Sequence, residues 1–154
     1  MSTDVPRPIE PAAAPVRLIR HGALRLRLRW RLGALGALLD GHSFWATGRQ
    51  RSQLGRMLSG SQVVVSAWQG KELVGFGRAT SDGVFRAVLW DVVVAEDHQG
   101  QGLGRRIVEE LLASPPVAAA ERVYLMTTTG EGFYERLGFS RVESQRLMLK
   151  QTSG

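Results

Sequence analysis

Three glycines at alternate positions, Gly100, Gly102 and Gly104, separate two apolar runs. Trp90 to Val94 is apolar, with three β-branched valines, and reads as a mostly buried strand interrupted by Asp91. From Leu103 the apolar residues Leu103, Ile107, Val108, Leu111 and Leu112 fall at helical spacing. The stretch Gln99-Gly100-Gln101-Gly102-Leu103-Gly104-Arg105 is therefore a bare loop that opens a helix. No Cβ at the glycines shields the backbone, and glycine accepts φ > 0. Unpaired N–H groups at a helix start attract anions. Arg105 and Arg106 in the first turn oppose the helix dipole, a cost that an anionic ligand offsets. Phosphate or pyrophosphate is the ligand this stretch predicts.

The spacing separates the phosphate-binding devices. A Walker A loop requires Gly-Lys-Ser/Thr, whereas Gly104 is followed by Arg105-Arg106. A dinucleotide fingerprint requires a third glycine where Arg105 stands and an acid closing the next strand. That strand ends in Thr127-Thr128-Thr129, and Glu121 precedes it. The chain has no cysteine, which removes disulfides, thiolate nucleophiles and cysteine metal sites. His21, His42 and His98 are scattered without ligand spacing, so no metal is expected.

The surrounding elements follow from periodicity and turn residues. Residues 1–15 hold four of the six prolines and an Ala-Ala-Ala run, and read as a disordered arm. Residues 16–154 read as one domain. Leu24 to Trp30 alternates leucine with arginine, the pattern of a half-buried strand with charges outward. Helices are expected over 32–39 and 49–58, the second with Leu54, Met57 and Leu58 inward. Strands are expected over 62–68, 72–80 and 85–94, with Ser81-Asp82-Gly83 as a hairpin turn. After the helix of residues 103–113, stopped by Ser114-Pro115-Pro116, come a strand over 121–127, a helix over 131–137 capped by Gly138, and a last strand over 141–150. The order is β-α-α-β-β-β-α-β-α-β, an α/β fold with a mixed sheet between helices.

The pattern Q-x-x-G-x-G at Gln99 to Gly104 resembles the pyrophosphate loop of the GNAT superfamily of acyl-CoA-dependent N-acyltransferases. Gly132-Phe133-Tyr134-Glu135-Arg136-Leu137-Gly138-Phe139 resembles that superfamily's F-Y-x-x-x-G-F segment, in the right order and about thirty residues on. The resemblance covers roughly residues 24–150. Gly77 to Val94 is most similar to the cyanobacterial and plastid branch, which includes enzymes that acetylate protein amines and arylalkylamines such as serotonin.

The resemblance implies a splayed central sheet with pantetheine in the gap. Val92, Val93 and Val94 would then offer backbone groups to pantetheine and the thioester carbonyl. Gln99, Gly100, Gln101, Gly102, Leu103, Gly104 and Arg105 would hold the pyrophosphate. Tyr134 would contact the cofactor and protonate the departing thiolate, its phenol matching a thiol in basicity. Thr127 stands where many relatives have an asparagine that contacts the cofactor. Val88 stands where some relatives carry a glutamate base. The amine's proton then leaves through water or to Asp91, whose pKa burial among apolar residues would raise. His98 reads as a surface loop residue. Trp45, Trp68, Phe85 and Trp90 are candidates for an aromatic acceptor pocket, or for core.

The implied function is transfer of acetyl from acetyl-CoA, a cosubstrate, to a primary amine of a small molecule or protein, in the cytoplasm. No membrane partner is expected, and a homodimer is left open. Two alternatives compete, a non-catalytic acyl-CoA sensor and a nucleic-acid-associated protein. The net charge of +6 favours the latter only superficially. Residues 1–31 hold seven arginines against two acids, while the rest of the chain nearly balances. No RNA-binding motif with stacking aromatics accompanies that region, which counts against nucleic acid.

Overall fold

The computed structural model describes residues 14–152. Five strands form one sheet in the order β1-β2-β3-β4-β5. They are β1 (Val16–Arg20), β2 (Val63–Gln69), β3 (Glu72–Ser81), β4 (Arg86–Val94) and β5 (Arg122–Tyr124). The first four pair antiparallel, and β4 pairs parallel with β5. The helices are α1 (Leu26–Arg29), α2 (Leu32–His42), α3 (Arg51–Ser59), α4 (Leu103–Ala113), α5 (Pro115–Ala118) and α6 (Glu131–Glu135). Among the described residues no helix is long and apolar enough to cross a membrane.

The three central strands are consecutive, β2 and β4 are valine-rich, and the turns between them carry the residues such turns need. Gly70 adopts φ 59° between β2 and β3. Asp82 Oδ1 accepts from the N–H groups of Val84, Phe85 and Arg86 at 2.8, 2.7 and 3.1 Å, closing the β3–β4 turn. These backbone hydrogen bonds hold the Asp82 carboxyl below its usual pKa.

Helix α4 lies directly on the sheet through two glycines of β3. A Cβ at Gly75 would stand 2.7 Å from Ile107 Cδ1, and one at Gly77 would stand 2.8 Å from Ile107 Cγ2. Alternation along β3 leaves Val74 and Phe76, both fully buried, for the opposite face. Leu103, Ile107, Val108 and Leu111 are the buried stripe of α4, as their spacing requires. Leu54 and Leu58 of α3 are buried and Met57 partly so.

The mixed sheet between helices agrees with the expected fold class, but its two ends do not follow the sequence pattern. Residues 24–30 form no strand. Arg25 takes φ 53° and caps α1, and the buried side chains are Arg25 and Leu28, three residues apart. The Arg25 guanidinium is buried against four carbonyls, those of His21, Gly22, Ser61 and Gln62. Its two Nη atoms make all four of these bonds, Nε is buried without a partner, and the bound cation fixes a turn where alternation suggested an extended chain. Leu24 and Leu26 point outward, 67% and 50% exposed. The first strand is instead β1, whose apolar Val16, Leu18 and Ile19 pack on the core.

At the other end, the strand expected over 141–150 is absent. Leu147, Met148 and Leu149 are 78%, 90% and 88% exposed. Only three residues of β5 are in the sheet, against the 121–127 expected, so the neighbouring edge is too short to recruit another strand. The helix expected over 131–137 spans 131–135, and α5 was not anticipated. The disorder expected for residues 1–15 falls on residues 1–13, which lie outside the described residues. Ala14 is held by its carbonyl, which accepts from Gln69 Nε2 at 2.9 Å.

Candidate active site

Strands β4 and β5 run together for only three pairs, Arg86–Arg122, Ala87–Val123 and Val88–Tyr124. Beyond Val88 they part, and a cavity of about 930 Å³ opens between them. Leu89, Trp90, Val92 and Val94 line it from β4, and Leu125, Met126 and Thr127 from the far side. Its dimensions suit a small-molecule cleft.

The glycine loop closes one end of the gap. Gly100 and Gly102 both take φ 78°, and a Cβ at either would meet nothing within 4 Å. The space beside this backbone is therefore open to a ligand. Gly102 is the N-cap of α4 and supplies no side-chain cap, so the first N–H groups of the helix are left for an external acceptor. Of the residues expected to bind a cofactor, Val92, Val94, Gln99, Gly100, Gly102, Leu103, Gly104, Arg105, Thr127 and Tyr134 surround this one cavity. Val93 turns its side chain into the core, 2% exposed, and Gln101 is exposed at the loop tip. Neither lines the cavity.

The two arginines of the first turn part company. Arg105 lines the cavity and its Nε donates to Glu109 Oε1 at 2.7 Å, an exposed pair of little intrinsic worth that an anion can displace. Arg106 reaches the other way, toward the Val16 carbonyl. Gln99 Nε2 donates to the Val94 carbonyl at 3.1 Å and braces the end of β4.

Tyr134 stands on α6, with its ring edge-on to Phe133 at 4.9 Å and to Phe139 at 5.8 Å. Burial pushes its phenol above the ordinary pKa, so it holds its proton across the physiological range. Thr127 Oγ1 accepts from Gly130 N–H at 2.9 Å, where α6 begins. Its own proton stays available to the cavity.

Asp91 departs from expectation. The pairing of β3 with β4 runs Phe76–Val93 and then Arg78–Trp90, so Asp91 and Val92 together oppose Gly77. This is a β-bulge, and Asp91 occupies its left-handed position with φ 52°. A non-glycine residue there costs roughly 1–3 kcal/mol. Burial is the largest single influence on the carboxyl and raises its pKa. The hydrogen bonds and charges of Arg49 and Arg78 together outweigh it, and the pKa lies below the usual value. The rise expected from apolar surroundings is thus reversed. The carboxylate accepts from Arg49 Nη1 at 2.9 Å, Arg78 Nε at 2.8 Å and Trp45 Nε1 at 3.1 Å.

His98, expected at the surface, is buried between Asp97 and Gln69, with Nε2 2.8 Å from Gln69 Oε1. Of the four candidate pocket aromatics, Trp45 and Trp90 line the cavity. Trp68 is core, with the guanidinium carbons of Arg27 and Arg31 each 5.4 Å from its ring centre, and Phe85 is exposed away from the cavity. Phe44, which the sequence did not single out, joins Trp45 edge-on at 5.1 Å and completes the aromatic end. The adjacent Phe44-Trp45 pair in a polar connection was the available signal. No cluster of three or more His, Asp or Glu that could hold a metal occurs among the described residues.

Comparison with known proteins agrees with this geometry. In sequence, the chain is 42% identical over 98 residues to serotonin N-acetyltransferase 2, chloroplastic, of Oryza sativa subsp. japonica, covering 60% of this chain and 48% of that protein. It is 39% identical over 87 residues to the uncharacterized N-acetyltransferase ycf52 of Pyropia yezoensis, covering 53% and 50%. The chain thus spans about half the length of the curated relatives it matches. Among solved structures, a protein belonging to the GNAT family from Xanthomonas campestris pv. campestris superposes with a TM-score of 0.75 at 23% identity, over 92% of this chain and 96% of the other. An acetyltransferase of the GNAT family from Streptococcus pneumoniae gives 0.72 at 21% identity, over 90% and 100%. The model of the acetyltransferase (GNAT) domain matches residues 59–141, more than half of the chain, from the end of α3 through the segment that carries Tyr134. The chain therefore belongs to the GNAT acetyltransferase domain family.

Proposed function

We propose that this chain transfers the acetyl group of acetyl-CoA to a primary amine by direct attack within a ternary complex. The observation that carries the reading is the meeting of the open glycine loop, the β4 backbone and Tyr134 on one cavity. The cavity fits the cosubstrate. Bare backbone and the α4 N-terminus suit a pyrophosphate, and the unpaired edge of β4 suits a pantetheine amide chain. Acetyl-CoA supplies an activated acyl group, and the chain's own residues do the rest. Val92 and Val94 offer main-chain groups beside the reacting carbonyl, where an N–H stabilises developing negative charge. The Tyr134 phenol, kept protonated by burial, donates to the leaving sulfur.

Asp91, held ionised by two guanidiniums and an indole N–H, has its acceptor positions engaged. The amine therefore loses its proton to water in the open mouth of the cleft. Phe44, Trp45 and Trp90 favour an acceptor with an aromatic or apolar tail, and the rice relative's name points to the same class. An arylalkylamine is the acceptor we infer ahead of a protein amine.

The test is release of free thiol from acetyl-CoA, with arylalkylamines, aliphatic diamines and peptide amines offered in parallel. The chain has no cysteine and so contributes no thiol background. Amine-dependent release, strongest with the arylalkylamines, is the expected result. Tight CoA binding with no amine driving release would overturn the reading.

A further inference from the structure

The carboxylate of Asp91 joins parts of the chain that its role in the sheet does not require. Arg78 comes from β3, while Arg49 and Trp45 come from the connection between α2 and α3. Oδ1 accepts from Trp45 Nε1 at 3.1 Å and from Arg49 Nη2 at 3.2 Å. Oδ2 accepts from Arg49 Nη1 at 2.9 Å and from Arg78 Nε at 2.8 Å. The Asp91 side chain is 4% exposed and that of Arg49 is 29% exposed. Arg78 is fastened further by Ser61 Oγ at 3.3 Å and lies 5.8 Å from the Trp90 ring centre.

The 42–50 connection is seated by the buried Ala46 and, at its start, by His42 Nδ1 accepting from the Glu96 N–H at 3.1 Å, but its aromatic pair has no such anchor in the core. Phe44 and Trp45 are 69% and 49% exposed. Gly48 N–H donates to Asp40 Oδ1 at 2.8 Å, and Ser43 Oγ donates to the Leu39 carbonyl at 2.8 Å, both local bonds. The long-range polar tie of Trp45 is its indole N–H on Asp91. A planar guanidinium gripping a carboxylate by two nitrogens sets orientation as well as distance. The bulge that brings Asp91 into reach is the one that places Val92 on the cavity wall.

We propose that the Arg49–Asp91–Arg78 clamp is the positioning device of the acceptor end, holding Trp45 against the cleft and thereby setting affinity for the amine but not for acetyl-CoA. Asp91 acts through Trp45, so it is a positioning residue. The kinetic part of the proposal rests on the acetyl-transfer reading, and the structural part does not.

Two variants test it from the exposed side of the clamp. Trp45→Phe keeps an aromatic ring and removes the N–H. Arg49→Gln removes the two-nitrogen grip. In both, KM for the amine should rise about tenfold, the scale of one charge-assisted hydrogen bond. KM for acetyl-CoA should stay within about twofold, too small a change to signify a lost contact. Arg49→Lys, which keeps the charge without the planar fork, should fall between. In parallel, exchange of the Trp45 indole proton with water is followed by NMR, with Trp45→Phe identifying the resonance. It should be protected in the parent and faster in Arg49→Gln.

An amine KM unchanged in both variants, or both KM values rising together, would overturn the proposal. So would an indole proton that exchanges as fast in the parent as in Arg49→Gln. A parent that turns over no amine would overturn the acetyl-transfer reading instead, and the indole measurement would still decide the clamp.

Discussion

The two walls of the cleft are made of different material. The wall toward the glycine loop is main chain, with Gly100, Gly102 and the start of α4 presenting N–H groups and almost no side-chain volume. The rest of the lining is a side-chain wall, with Phe44, Trp45, Trp90 and Tyr134 supplying rings and Asp91, held in its clamp, among them. A main-chain wall recognises what all acyl-CoA molecules share, the diphosphate and the amides. A side-chain wall can be changed one residue at a time without disturbing the first. Under the proposed function, the first wall takes the fixed cosubstrate and the second the variable acceptor.

The largest effect expected of any single atom lies on the side-chain wall. Tyr134→Phe keeps the ring between Phe133 and Phe139 and deletes the proton donor. General acid catalysis is worth typically 10²–10⁴-fold, so the single-turnover rate at saturating acetyl-CoA should fall by about that range, with KM for acetyl-CoA little changed. A rate within about threefold of the parent leaves under ~1 kcal/mol for the proton and excludes the role.

Giving the main-chain wall a side chain should come next. Gly102→Asp puts a carboxylate into the open space by the loop, at a position with φ 78°. Affinity for CoA, measured by calorimetry, should fall tenfold or more, roughly the effect of one like charge near a diphosphate. A Cβ there meets no neighbouring atom, so the cost to folding is the strain of a left-handed residue, roughly 1–3 kcal/mol, and CoA binding is measured at a temperature where the variant is folded. Unchanged CoA binding would remove the loop from the site and dissolve the contrast between the walls.

A third variant moves that wall without touching it. Gly77→Ala forces a methyl group to within 2.8 Å of Ile107 Cγ2 and 3.1 Å of Leu111 Cδ1, so those side chains or α4 itself must shift against β3. A loss of about 1–3 kcal/mol in unfolding free energy is expected from overpacking. CoA affinity should weaken by a smaller factor as the helix start shifts. Equal stability in denaturant would mean that α4 is not seated on the glycine pair.

The smallest effect is a control that belongs to neither wall. His21 Nε2 lies 2.5 Å from Ser66 Oγ, and burial, followed by the charges of Arg25 and Arg27, lowers its pKa to about 4. The unfolded chain binds a proton at this histidine near its ordinary value of 6.5 while the folded chain resists it. The stability it contributes is present above pH 6.5 and is lost as pH falls toward 4. Melting at pH 7 and pH 5 should show a larger drop for the parent than for His21→Gln, with CoA affinity alike in both. A parallel drop would show that His21 is not the group that titrates.

The contrast between the walls also explains what could be read from residue order. The main-chain wall demands glycine at fixed spacing within seven residues, so Gln99 to Arg105 announces itself. The position of Tyr134 on the cavity was legible for a similar reason, because its neighbours on a short helix form a local frame. The side-chain wall is assembled from Trp45, Arg49, Arg78 and Asp91, which lie on three separate elements. Nothing local to Asp91 reports the two guanidiniums, and without them burial alone points the pKa the wrong way. The same limit applies at Leu24 to Trp30. Alternation there was real, but the strand it suggested lost to the burial of Arg25, whose Nη2 donates to the carbonyls of Ser61 and Gln62. The strand foreseen over 141–150 needed an edge to join, and the length of β5 is a property of the sheet rather than of the tail.

The early parting of β4 and β5 carries one more consequence. From Leu89 to Val94 the inner edge of β4 has no strand beside it among the described residues. An uncovered edge is what folded proteins ordinarily guard against, because it invites pairing with another chain. Here the edge is turned inward, and an extended amide-bearing molecule in the gap would cap it as a strand does. Occupancy then acts as a folding partner as well as a reactant. A cosubstrate held at a hundred times its dissociation constant adds about 2.7 kcal/mol to the folded state by mass action. If acyl-CoA is that molecule, as the proposed function has it, scarcity of acyl-CoA leaves the fold less resistant to aggregation.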